Sequence, residues 1–204
     1  MTEEKKVNLD DERRRFFRIE DLIHLAFRVI DENELNFKAD MLDKGLVDQF
    51  MITSCLATIT ADMASTLRKI EVVEPDVAAY LKSLDRKIDL IGRTFLTEEV
   101  QTDDHEAEAV NLSASGIAFS TKEALPIDAN VELKMMLMPS FAGVLTYGKV
   151  IGNEIVEDET GRRNMTRIDF THMREEDRDL LIRHVIRKQG DMLRERRIAR
   201  ENAE

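Results

Sequence analysis

One long helical run restricts the fold of this chain more than any other feature. Between Gly45 and Glu71 there is no internal glycine or proline, and Ile52, Leu56, Ile59, Met63 and Ile70 recur at heptad-like spacing, with Leu67 filling the turn before the end. Val72-Val73-Glu74-Pro75-Asp76 interrupts the run. Pro75 suits the first turn of a new helix, where its missing N–H would have had no partner anyway. Val77, Leu81, Leu84, Ile88, Ile91 and Phe95 then alternate steps of four and three, an a/d seam. The pattern predicts an antiparallel hairpin of roughly 50 residues with arms about 35 Å long at 1.5 Å per residue. Phe50, Met51, Leu90 and Leu96 widen the apolar faces beyond the two seams. A two-helix hairpin has little core of its own, so these faces are expected to pair with further copies of the chain.

On either side of this run the apolar period changes from helical to two. Leu25, Phe27 and Val29 alternate within a first strand expected over His24–Ile30, and the charged segment Asp31–Lys44 reads as an irregular connection. After a polar, acidic return linker over residues 97–109, two short apolar pieces flank a Ser/Gly turn, Val110–Gly116 and Ile117–Thr121. Val131, Leu133, Met135 and Leu137 alternate in the next strand, Pro139 and Gly143 bracket a hairpin turn, and Val144–Ile151 forms another strand. A turn at Glu157–Gly161 leads into Met165–Phe170. Short strands separated by turn signals imply an antiparallel barrel or sandwich. A helix from Arg174 to about Arg200 closes the chain, with Leu181, Val185 and Ile186 on one side and an Arg/Glu-rich last third, from Gly190, that is expected to fray.

The charge distribution points to a local anionic ligand. The formal net charge is −11, yet Arg13, Arg14, Arg15 and Arg18 fall within six residues just before the first strand. An acidic chain does not coat nucleic acid by bulk charge, so such a cluster acts locally, and guanidinium forks suit phosphate and guanine edges. The C-terminal arginines alternate with glutamates and read as a solvated helix face. No apolar run approaches the ~18–20 residues that span a bilayer, and the polar N-terminus lacks a signal-peptide core, so a cytoplasmic protein without membrane insertion is expected. The single cysteine, Cys55, excludes an intramolecular disulfide, and His24, His105, His172 and His184 show no metal-ligand spacing. No Ser-His-Asp order, H-E-x-x-H, Walker loop or dinucleotide fingerprint occurs, so neither catalytic residues nor a cofactor is expected.

Two short motifs give the cluster a context. Arg14 and Arg18 form R-x-x-x-R, and Asn111-Leu112-Ser113-Ala114-Ser115-Gly116 forms [D/N]-x-S-x-x-G. In this order, each beside a strand, and followed by Arg167–Met173, an acidic stretch and an apolar helix, they resemble the PilZ domain family. The resemblance covers roughly residues 10–30 and 106–190. It implies an α+β fold: a six-stranded antiparallel β-barrel with a C-terminal helix, interrupted here by the helical hairpin. The implied organisation is a tail, arginine loop and first strand in residues 1–36, an oligomerising insertion in 37–99, and the rest of the barrel with the closing helix in 100–204.

The same resemblance implies a function, since PilZ domains bind the bacterial second messenger cyclic di-GMP. The expected ligand site is Arg13, Arg14 and Arg18 from the loop with Asn111, Ser113 and Gly116 from the barrel. The chemistry suits the ligand: an arginine fork matches guanine O6 and N7, guanidinium groups pair with phosphates, and their planes stack on purines. Asn111 stands where the family pattern often has Asp, keeping an acceptor but losing the charge. Outside the resemblance, Asn111 and Ser113 are also ordinary turn residues, Phe16 and Phe17 suit packing on the barrel, and Arg167 faces either ligand or solvent. The implied role is a non-enzymatic receptor that relays ligand binding to an undetermined protein partner in motility, pili, biofilm or virulence control. The alternative is an oligomeric structural module with little ligand affinity.

Overall fold

The computed structural model describes residues 18–45, 49–100, 107–158 and 161–201. Its ten elements run β1 (Ile19–Ile30), α1 (Glu32–Asp43), α2 (Gln49–Val73), α3 (Pro75–Val100), β2 (Glu108–Ser113), β3 (Gly116–Thr121), β4 (Asn130–Leu137), β5 (Ala142–Asp158), β6 (Gly161–Met173) and α4 (Glu175–Glu201). The six strands close into an antiparallel barrel in the order β1-β2-β3-β6-β5-β4. Alternate side chains fill its interior: Ile23 and Leu25, Leu112, Phe119, Leu133 and Met135, Val144 and Val150 are all buried. Leu181 and Val185 of α4 join the same core. Because the order closes on itself, no strand is an edge strand of the barrel. The barrel, the C-terminal helix and the interrupting helices agree with the fold expected from the sequence.

β1 is longer than the period-two signal suggests, beginning at Ile19 rather than His24. Ile19, Asp21, Ile23 and Leu25 form one buried row, and the carboxylate in that row hides the apolar alternation. Asp21 is tolerated there because His184 and Lys188 reach it from α4.

The connection after β1 is not irregular. It is the helix α1, capped by Asp31, whose Oδ1 accepts a hydrogen bond from the Glu34 backbone N–H at 2.8 Å. Leu35, Ala39 and Leu42, spaced by four and three, are its buried face. Three apolar positions among so many charges give a weak periodic signal. The charges themselves fasten the helix: Arg28 bridges Glu34 and Glu132, and Lys38 also pairs with Glu132. The helical insertion therefore begins at Glu32, and the boundary expected at residue 37 falls inside α1.

α2 and α3 form the expected antiparallel hairpin. They approach closely at its base, where a Cβ on Gly92 would come within 2.9 Å of Leu56 Cδ1. The seams are only partly used within one chain. Leu56, Leu67, Leu81 and Leu84 are half-buried, whereas Ile59, Met63 and Ile88 are 59%, 55% and 46% exposed.

Two further expectations change. Gly143 lies inside β5, not in the β4–β5 turn. It is the seat of α2, because its N–H donates to Thr53 Oγ1 at 3.1 Å and a Cβ there would meet that oxygen at 2.5 Å. α4 continues through Gly190 to Glu201, and Ile186 is exposed while Leu181 and Val185 are buried. Ile186 follows Val185 by one residue, a rotation of about 100° away from the barrel.

Candidate functional site

The register of the strands sets the start of β1, next to Arg18, beside the β2–β3 turn that carries Ser113 and Gly116. β1 pairs with β2 through Ile19↔Leu112 and Glu20↔Asn111, so continuing by one residue sets Arg18 level with Ser113. Ser113 pairs with Gly116 across the β2–β3 turn, and Gly116 pairs with Asp169 of β6. One row across the barrel wall thus reads Ser113, Gly116, Asp169, with Arg18 just before β1 at its Ser113 end. The neighbouring outward row is Glu20, Asn111, Ala118, Arg167. Over 70 residues of helical insertion separate β1 from β2 in the chain, yet the barrel makes them neighbours.

The floor of these rows is built from short side chains, and the local geometry requires them. A Cβ on Gly116 would lie 2.5 Å from the carbonyl oxygen of Ile168 and 3.2 Å from Asp169 Oδ1. Glycine is needed here for the close approach of β3 to β6. The turn itself is made by Ala114 and Ser115, and Phe170 N–H ties it to β6 by donating to the Ser115 carbonyl at 2.8 Å. The Ser113 hydroxyl donates to the Gly116 carbonyl at 3.1 Å and accepts from Ser115 N–H at 3.4 Å. Asn111 is different, since its Oδ1 is buried without a hydrogen-bond partner. Such a group costs free energy until something donates to it.

Arginines lie at both sides of this floor. Arg18 is exposed at the entrance to β1. Arg167, whose direction the sequence left open, occupies the Asn111 row and forms an ion pair with Glu154 of β5. Arg13 and Arg14 lie outside the described residues, as do Phe16 and Phe17. Among the described residues no group of His, Cys, Asp and Glu is arranged to hold a metal ion, and no helix is long and apolar enough to cross a membrane.

Behind the site lies a buried charged cluster that sequence reading missed. Asp21, three residues after Arg18, accepts hydrogen bonds from His184 Nε2 at 2.6 Å and Lys188 Nζ at 2.5 Å. Burial works against its charge, but His184 and Lys188 together hold the carboxyl below the usual range. Nδ1 of His184 is buried without a hydrogen-bond partner. A second cluster joins α4 to α2. Arg174, just before α4, donates twice to Asp177, at 2.9 and 2.8 Å, and once to Ser54 Oγ at 2.5 Å. Burial again opposes the charge, and Asp177 outweighs it, so the Arg174 pKa is raised. Neither cluster had a local sequence signal, because the partners lie 163 and 120 positions apart.

Residues 92–187 match the family model of the PilZ domain. Over that span the chain carries a PilZ domain. The matched span holds β2–β6 and the first half of α4, while β1 and the arginine end precede the insertion. The whole arrangement also resembles a Xanthomonas campestris protein described as a tetrameric PilZ domain self-assembled through a helical bundle. That likeness has a TM-score of 0.50 at 17% identity, over 88% of this chain and 92% of that one. Smaller overlaps occur with the Bacillus subtilis inhibitor of motility MotI/DgrA (TM-score 0.36, 18% identity, 44% of each chain) and with the PilZ domain of Escherichia coli YcgR with cyclic di-GMP (TM-score 0.32, 16% identity, 49% of this chain and 80% of that one). No curated protein matches this sequence. The matched span begins inside α3, and five of the six barrel strands and the start of the closing helix lie within it.

Proposed function

We propose that this protein is a non-enzymatic receptor for cyclic di-GMP, acting in the cytoplasm as a homo-oligomer joined through its helical hairpin. The observation that carries the ligand reading is the barrel register, in which Arg18 falls level with Ser113 beside the unpartnered carbonyl of Asn111. In this reading Arg13, Arg14 and Arg18 close over the ligand from the loop. They hold its phosphates by charge-assisted hydrogen bonds and its guanines by bidentate contact or stacking. Asn111 accepts from a guanine N–H, and Gly116 keeps the floor low. The oligomer reading rests on Ile59, Met63 and Ile88, seam residues left about half exposed by the partner arm. A separate protein partner would read the ligand-bound state, in control of motility, pili, biofilm or virulence.

One observation favours a second reading, an assembly module with little ligand affinity. The Ser113 hydroxyl is already engaged on both sides within its own turn. Titration calorimetry of the full chain with cyclic di-GMP separates the two. Saturable heat with one stoichiometry supports the receptor, and no heat at high micromolar ligand leaves the assembly module.

A further inference from the structure

We infer that the C-terminal helix α4 couples the arginine end of the barrel to the root of the helical hairpin. The chain connects these regions through β1 and α1, but α4 makes a second and more direct path. At one end His184 and Lys188 hold Asp21, whose side chain is 2% exposed and lies three residues from Arg18. At the other, Arg174 holds Ser54 on the second turn of α2, with its guanidinium fixed by the fully buried Asp177. Between Arg174 and Lys188 the backbone is continuous helix after its first residue, roughly 21 Å of rigid element. Arg183 reaches Asp62 of α2 at 3.7 Å between them, an exposed pair that adds little.

Both joints are charged hydrogen bonds removed from water, and such contacts are made whole or lost at high cost. A shift of β1 at Asp21 therefore moves α4, and α4 moves Ser54. The hairpin root responds because it is seated on the barrel next to this joint, with Thr53 Oγ1 between Gly143 N–H and the Phe50 carbonyl. Coupling of this kind is reciprocal, so a disturbance at Ser54 must also be felt at Asp21. Where the ligand enters, the inference rests on the receptor reading above: a ligand held by Arg18 would pull on the strand that carries Asp21.

Hydrogen–deuterium exchange on the full-length protein tests this without ligand. Asp21→Asn is expected to speed exchange about tenfold or more in α4 and also in residues 53–58 of α2, with β4 unchanged. Faster exchange in α4 with α2 unaffected overturns the inference. Should Asp21→Asn unfold the barrel, His184→Gln and Ser54→Ala replace it. His184→Gln must loosen residues 53–58, and Ser54→Ala must loosen residues 19–23; silence of either variant at the far joint overturns the coupling. A last arm adds cyclic di-GMP to the wild-type chain. Binding that slows exchange at residues 53–58, and does so no longer in His184→Gln, extends the coupling to the ligand, and binding that leaves those residues unchanged refutes that extension. Absence of binding removes the receptor reading while the ligand-free arms still decide the coupling.

Discussion

The exposed seam of the hairpin offers a direct test of assembly. Ile59, Met63 and Ile88 keep 59%, 55% and 46% of their surface open. Leu56 opposite Gly92 sets the antiparallel register of the arms, which brings Ile59 and Ile88 to nearly the same height along the hairpin. Full burial of such a side chain is worth about 1.5–3 kcal/mol, so covering the remaining half of each contributes about 1 kcal/mol, or about 3 kcal/mol per chain for the three. At 1.4 kcal/mol per tenfold change, that corresponds to roughly a hundredfold in association. Replacing Ile59 and Ile88 by glutamate removes two of these terms and adds the cost of burying charge. Sedimentation equilibrium across a concentration series should show the wild-type chain as an oligomer. The double variant should be mainly monomeric at tens of micromolar, with its barrel intact by near-ultraviolet circular dichroism. An unchanged mass in the double variant would refute assembly through this face, and a monomeric wild-type chain would refute assembly altogether.

Gly116→Ala would place a Cβ 2.5 Å from a β6 carbonyl oxygen, so stability should fall toward the upper end of the ~1–3 kcal/mol typical of overpacking; urea unfolding reads it, and a loss below about 0.5 kcal/mol would mean the β3–β6 contact is soft. Asp21 has a depressed folded pKa, so its contribution is present above the unfolded value near 4 and is lost as pH falls through the folded one. Asp21→Asn should therefore cost about 3 kcal/mol at pH 7 and flatten the decline of stability below pH 4, whereas an unaltered acid limb would show that other carboxylates control it.

Much of the barrel was legible because inward positions repeat every two residues: Val131, Leu133, Met135 and Leu137 announce β4 by themselves. The hairpin was legible for the same reason at another period. What escaped notice was each element whose stability comes from distant charges. β1 carries Asp21 in its buried row, which is acceptable only once His184 arrives from 163 positions away. α1 hides three buried residues among charges that pair with β1 and β4. Gly143 looked like a turn residue because a glycine required by tertiary contact and one required by a turn are identical in sequence. For the candidate site the motifs singled out Ser113 and Gly116, and the close approach of β3 to β6 explains why Gly116 lacks a side chain. The position of Arg167 in the Asn111 row needed the β3–β6 pairing. Arg13 and Arg14 fall outside the described residues.

The receptor proposal depends above all on Arg18 acting beside the β2–β3 turn. The decisive measurement is the dissociation constant of cyclic di-GMP for the Arg18→Ala chain against the wild type, by titration calorimetry at fixed salt. Loss of a charged hydrogen bond costs about 1.5–3 kcal/mol, so affinity should fall about 10- to 100-fold or become undetectable. Equal affinity in both chains would contradict the site, and no binding to the wild type would contradict the receptor.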